Sequence, residues 1–245
     1  MKRKTVLITG AARRLGAAFA RHLALRKNYQ IALHYNHSEQ LATELQLELI
    51  EAGVPCEVFR ADLQQIDTVP ALFENVRRQM GSVDLLINNA SIFTNDSIGA
   101  IECPKLLSNF QIHAFAPLLL SQALFQQQSD GLIINMLDAR VRQNDPAYAT
   151  YSLSKKTLLN ITEYCAVVMA PGVRVNALAP GWVLPAANEE YEIPSKFPNL
   201  LNQMGTVQGL VHCLDTLIDN PFLTGQVLYY DGGEHLAGSP YLPTR

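Results

Sequence analysis

Cysteine is scarce in this chain of 245 residues: Cys56, Cys103, Cys165 and Cys213 stand far apart, with no CxxC or His-paired spacing. That excludes a disulfide framework and makes zinc a poor reading, so no metal is expected and the thiols read as free groups in a reducing compartment. Long apolar runs are also missing. None approaches the ~20 residues a membrane-spanning helix needs. Residues 1–9 lack the apolar centre of a secretory signal and pass directly into a strand pattern, so a soluble cytoplasmic protein is expected. Charge imbalance is small, with a formal net charge of −3, which argues against bulk nucleic-acid binding or adhesion to an anionic membrane. Charged residues make up only 17% and hydrophobic ones 48%, the balance of a globular chain rather than a disordered one.

Short aliphatic runs alternate with amphipathic segments. Strands are expected at Thr5–Thr9, Gln30–Tyr35, Val54–Phe59, Val83–Ile87, Gly131–Met136, Val173–Ala177 and Gly225–Tyr229. Between them, apolar residues recur at helical spacing from Leu15 to Leu23, and helices are expected at about Ser38–Glu51, Ile66–Met80, Lys105–Gln128, Ala149–Met169 and Gln203–Asp219. Such alternation means parallel strands joined by helical crossovers. The predicted fold is therefore a single-domain α/β Rossmann-type, doubly wound sheet of about seven strands, covered by helices on both faces. No linker divides residues 1–245. The stretch Pro180–Asn202, with four prolines and no steady period, is too long for a routine connection and reads as a substrate loop or a variable surface loop.

Thr9-Gly10-Ala11-Ala12-Arg13-Arg14-Leu15-Gly16 joins the first strand to the first helix. Small residues there admit a pyrophosphate, and the helix start supplies free N–H groups and positive dipole. After the second strand, NAD sites commonly carry an acidic residue for the ribose 2′-OH. This chain instead reads His34-Tyr35-Asn36-His37-Ser38, with no carboxylate before Glu39. A 2′-phosphate would meet polar donors there, and Arg14 could pair with it, so NADP(H) is the expected cofactor. Arg13 and Arg14 could also form an ordinary basic helix start, but cations oppose the dipole at that end.

Tyr151 and Lys155 stand four apart on one face of a helix. A neighbouring ammonium would lower the phenol's pKa toward neutrality, as general acid catalysis requires. Upstream, the fifth strand ends in Asn135-Met136-Leu137-Asp138, delivering a carboxylate to the edge of the sheet where open α/β folds bind ligands.

Taken together, the chain resembles a short-chain dehydrogenase/reductase over essentially its full length. The resemblance rests on the Thr9–Gly16 turn, Asp62 after the third strand, Asn88-Asn89-Ala90 after the fourth, Tyr151 with Lys155, Pro180-Gly181 after the sixth, and Asp231-Gly232-Gly233. It implies cofactor contacts for Gly10, Arg14, Leu15, Gly16, Asp62, Leu63, Asn89, Ala90, Ser91, Met136, Tyr151, Lys155, Pro180 and Gly181. Four departures are informative. Arg14 and Ser91 stand where the family usually has Gly, Asp138 where it has the catalytic Ser, and His113 where it has a helical Asn. These resemble the pteridine reductase branch, which implies that Phe93 stacks a pterin against the nicotinamide and Ser91 bonds the assembly. Asp138, Tyr151 and Lys155 would then be catalytic, with Pro180 and Trp182 beside the substrate.

The chemistry of Asp138 points the same way. A carboxylate would repel a developing alkoxide, whereas it suits a ring with N–H donors such as a 2-aminopterin or folate. Hydride would pass to a C=N carbon and a proton to the adjacent nitrogen. Simpler readings remain: Asp138 as a cap, Phe93 as core packing, His113 as a satisfied core histidine or a water relay. Rival functions are a general carbonyl reductase and a non-catalytic NADP sensor, the latter having no use for Tyr151 and Lys155. The resemblance also implies a homotetramer, with helices 105–128 and 149–169 at one interface and Arg245 near a neighbouring subunit's site.

Overall fold

In the computed structural model, residues 3–185 and 196–237 are described. Seven strands form one parallel sheet in the order β3-β2-β1-β4-β5-β6-β7. They are β1 (Lys4–Ile8), β2 (Tyr29–Tyr35), β3 (Cys56–Arg60), β4 (Leu85–Asn88), β5 (Gly131–Met136), β6 (Val173–Pro180) and β7 (Val227–Tyr230). The helices are α1 (Arg14–Arg26), α2 (Glu39–Glu51), α3 (Val69–Met80), α4 (Cys103–Phe110), α5 (Ala116–Gln126), α6 (Ala149–Val168) and α7 (Val207–Asp219). Strand order reverses direction between β1 and β4, so loops from the two halves diverge there and leave a crevice.

The central strands read as continuous aliphatic runs because both of their faces are covered. Phe19, Leu23, Leu45 and Leu210, from α1, α2 and α7, pack with Ile8, Leu33 and Ile87 on one side. Phe73, Leu120 and Cys165, from α3, α5 and α6, pack with Leu7, Leu86 and Ile133 on the other. Among the described residues no helix is long and apolar enough to cross a membrane.

The helix expected at Lys105–Gln128 is in fact interrupted. Residues Gln111–Phe115 form a π-helical turn between α4 and α5, with the Ala116 N–H bonded to the Gln111 carbonyl. Pro117, in the first turn of α5, has no N–H for the His113 carbonyl and its ring would crowd that group in a regular helix, so the chain widens just before it. Most other boundaries move by one to four residues, three of them for a local reason. The helix expected from Gln203 begins at Val207, where Thr206 Oγ1 caps the Gly209 N–H. The last strand starts at Val227 rather than Gly225, because Gly225 adopts φ +70° as the chain turns into it. Ile66–Thr68 is a short 3-10 turn, distinct from α3, since Pro70 favours a helix start at Val69. Residues 186–195 of the expected substrate loop and Arg245 lie outside the described residues.

Candidate active site

The turn after β1 is tied to the turn after β4. Thr9 Oγ1 accepts from the N–H groups of Asn89 (2.9 Å) and Ala90 (3.0 Å). Asn89 Nδ2 returns bonds to the carbonyls of Thr9 (2.9 Å) and Gly10 (3.1 Å). The backbones approach so closely that a Cβ on Gly16 would overlap the Gly10 carbonyl oxygen and lie 2.7 Å from Asn89 Nδ2. Arg14 follows with φ +55°, a left-handed conformation costing a non-glycine residue roughly 1–2 kcal/mol. That accounts for glycine being the common residue here. Its guanidinium donates to the Pro185 carbonyl at 2.7 Å, so it already bridges the turn to the loop after β6.

Beside this turn lies a cavity of about 440 Å³. Gly10, Arg14, Leu15 and Gly16 line one end, Tyr35, Asn36, His37 and Ser38 another, and Asp62, Leu63, Asn89, Ala90 and Ser91 the rest. No side chain caps α1, and its first turn has no acidic residue, so the helix start is open to an anion. This donor set fits a dinucleotide phosphate. His34 also lines this cavity, with both of its ring nitrogens engaged by backbone. Its Nδ1 accepts from the Gly10 N–H (3.1 Å) and its Nε2 donates to the Ala61 carbonyl (3.1 Å). Burial pushes its pKa down to about 4, so it is a neutral strut under the glycine-rich turn.

Met136, Tyr151, Lys155, Pro180 and Gly181 lie apart from that cavity's lining, at the ends of β5 and β6 and on α6. Asp96, which sequence reasoning missed, holds α6 in place. Its Oδ1 accepts the Thr150 N–H at 3.0 Å and its Oδ2 bonds the Thr150 hydroxyl. The only sequence signal for this cap was a lone Asp in an irregular segment, distant from the helix it serves. Tyr151 then points its hydroxyl at Asp138 Oδ2, 2.8 Å away, and Lys155 Nζ donates to the Met136 carbonyl at 2.7 Å.

Arg140, the second residue that sequence reasoning missed, governs the charge here. Its Nε lies 3.1 Å from Asp138 Oδ1 and its Nη2 3.1 Å from Oδ2, while its backbone N–H donates to Oδ1 at 2.8 Å. Asp138 is thus both a cap of the 3-10 turn Ala139–Arg142 and the partner of Tyr151. Burial pushes its pKa up, but the Arg140 charge and these hydrogen bonds outweigh it, and the net shift is downward. The phenol departs from expectation. Burial first, and then the Asp138 charge, drive the Tyr151 pKa well above the usual value. Lys155, whose own pKa burial lowers to about 8, has its ammonium 6.0 Å from the Tyr151 ring centroid, and the phenol's net shift is upward all the same.

Phe93 is half exposed (53%), as a ligand-stacking ring would be, yet it is engaged within the protein. It stacks on Tyr148 (centroids 4.3 Å apart) and meets the edge of Tyr151 at 4.9 Å. The Arg140 guanidinium lies 4.9 Å from its centroid. Trp182 packs edge-on against Phe197. Gly181 is where the loop after β6 passes Asp231 and Glu234, each 2.9 Å from where a Cβ would stand. Among the described residues no cluster of metal-ligating side chains occurs.

A switch-point crevice with a glycine-rich turn on one side, and a Tyr–Lys pair beside a strand-end acid on the other, defines a Rossmann-type oxidoreductase. The chain belongs to the short chain dehydrogenase family, whose profile matches residues 4–194. It is 31% identical over 241 residues to a dihydromonapterin reductase of Shigella boydii, covering 94% of this chain and 96% of that one. A Citrobacter koseri dihydromonapterin reductase is 30% identical over 239 residues, with the same coverage. Among solved structures it is similar to FolM alternative dihydrofolate reductase 1 from Brucella suis in complex with NADP (33% identity, TM-score 0.86, 95% of each chain). The Brucella canis protein of the same name, also complexed with NADP, superposes with TM-score 0.87 at 31% identity over 98% of each chain.

Replacing Arg140 by Met would strand the Asp138 charge. The expected loss is about 3 kcal/mol of stability at neutral pH, the cost of breaking a buried pair. Asp138's folded pKa is depressed, so the pair's contribution is present above the unfolded value and is lost as pH falls through the folded one. The gap between R140M and wild type should therefore shrink in acid, which urea titrations at neutral and acid pH would read directly.

Proposed function

We propose that this chain is an NADPH-dependent pterin reductase, converting a dihydropterin or the oxidised pterin to the tetrahydro form. The observation that carries the reading is the 2.8 Å bond from the Tyr151 hydroxyl to Asp138, an acid fixed in its ionised form by Arg140. The relatives named as dihydromonapterin reductases and the NADP complexes of FolM support it. When bound, NADPH supplies the hydride. Residues of the glycine-rich turn, with Asn36, His37 and Ser38, would hold the phosphates, and Lys155 the nicotinamide ribose. Asp138, Tyr151, Phe93, Ser91, Pro180 and Trp182 would border the substrate.

Asp138 and Tyr151 divide the work by charge. An ionised carboxylate accepts hydrogen bonds and repels an incoming alkoxide, so it selects a ring edge bearing N–H groups over a simple ketone. Burial keeps the Tyr151 proton on its oxygen until a more basic acceptor arrives, as a ring nitrogen becomes when hydride reaches the neighbouring carbon. A ligand ring stacking on Phe93 would take the place of Tyr148 or of Arg140, and only the first leaves the Arg140–Asp138 pair intact.

The assembly we propose is a homotetramer. Leu107, Phe115 and Leu118 on the α4–α5 side, and Leu153, Tyr164 and Val167 on α6, are all exposed, an apolar surface of the kind that subunits cover. Four free cysteines fit a reducing compartment such as the cytoplasm.

NADPH oxidation should proceed with dihydrobiopterin, dihydromonapterin or dihydrofolate and not with an acetoacetyl thioester; turnover of the thioester alone would overturn the pterin reading. Asp138→Ser should lower pterin kcat/KM by about 100-fold or more with NADPH affinity nearly unchanged, and an unaltered rate would contradict the role given to Asp138. Light scattering should return a four-subunit mass that Val167→Asp reduces.

A further inference from the structure

His113 is nearly inaccessible to solvent (1%), and every polar contact of its ring is directional. The Ile92 backbone N–H lies 3.3 Å from Nε2. A backbone amide can only donate, so Nε2 must carry a lone pair. On the other side, Nδ1 is 2.8 Å from Ser154 Oγ, while the hydroxyl hydrogen of Ser154 goes to the Tyr151 carbonyl at 2.8 Å. Ser154 therefore receives from Nδ1–H. The two constraints come from different elements, the loop after β4 and helix α6, and require the same tautomer.

The consequence falls on Ser91. Its Oγ is 2.9 Å from Nε2, and because Nε2 accepts, Ser91 must donate. The other acceptor in reach, the Ile92 carbonyl, is farther away at 3.2 Å. With its one hydrogen turned inward, the hydroxyl shows only lone pairs to the cavity that Ser91 lines.

We infer that His113 is a positioning residue, locked as the neutral Nδ1–H tautomer, and that it makes Ser91 an acceptor toward any bound ligand. Protonation would place a second N–H against the Ile92 amide. The groups facing the ring agree: Tyr151 meets it edge-on, with centroids 5.3 Å apart, and the Lys155 charge adds to burial in lowering its pKa. The π-helical turn that carries His113 sets the ring between Ser91 and Ser154. If the pterin reading holds, Ser91 and Asp138 both accept, and the site selects ring edges that donate.

The test starts on the wild-type chain with ¹⁵N-labelled histidine, assigned through backbone correlations. His113 should show a protonated Nδ1 and a bare Nε2, unchanged over roughly pH 5.5 to 8.5. A protonated Nε2, or a midpoint near the ordinary value of about 6.5, would overturn the inference. Two variants then separate positioning from packing. His113→Gln can set its amide oxygen where Nε2 stood, whereas His113→Asn reaches only the Ser154 side. Asn should raise the pterin KM about tenfold with kcat within about twofold, the tenfold being ~1.4 kcal/mol of binding, and Gln should restore most of it. Equal KM values in the Asn variant and wild type would refute the effect on Ser91. A wild-type chain that reduces no pterin would instead refute the proposed function, leaving the tautomer result to stand by itself.

Discussion

A strand lies parallel to its neighbour only if the chain returns outside the sheet, so seven parallel strands bring all seven carboxyl ends to one edge. Much of the chemistry in this chain hangs on that edge, with Tyr151 and Lys155 brought to it by α6. Gly10 follows β1, His37 and Ser38 follow β2, Asp62 follows β3, Asn89 to Ser91 follow β4, and Asp138 follows β5. Residues remote in sequence meet there without any element having to bend. The polar links that cross the edge, Thr9 with Asn89 and Asn88 with Asn135, fasten adjacent strand ends where the ladder of backbone bonds stops.

Much of this could be read from the sequence because parallel strands buried on both faces must be short aliphatic runs, and the helices between them must carry one apolar stripe. Local chemistry was equally readable where a motif is contiguous: the glycine-rich turn, and Tyr151 four residues before Lys155. Three things were not. The π-helical turn depends on how Pro117 is accommodated within a pattern that otherwise reads as one continuous helix. Asp96 caps α6 from a loop far upstream, and no local spacing connects them. The state of Tyr151 depends on burial and on Asp138, whereas the sequence suggested only the neighbouring lysine.

His34 and Arg140 have parts that only the folded chain displays. His34 lies where polar groups were expected to meet a phosphate, but both ring nitrogens are taken by backbone. Arg140 is one of two arginines in a short segment, and nothing in its spacing marks it out from Arg142. Geometry separates them. Arg140 is held against Asp138 and over Phe93, whereas Arg142 reaches outward to the Tyr229 hydroxyl.

The fork between Arg140 and Asp138 is also asymmetric. With serine at position 138 the guanidinium would keep Asp145, 3.3 Å away, whereas an aspartate at 138 without Arg140 would lose its counter-charge. The two changes are therefore unequal: removing Arg140 leaves an uncompensated carboxylate beside the reactive tyrosine, and removing Asp138 does not leave an uncompensated guanidinium. The dependence runs one way: the acid at 138 leans on the arginine more than the arginine leans on the acid.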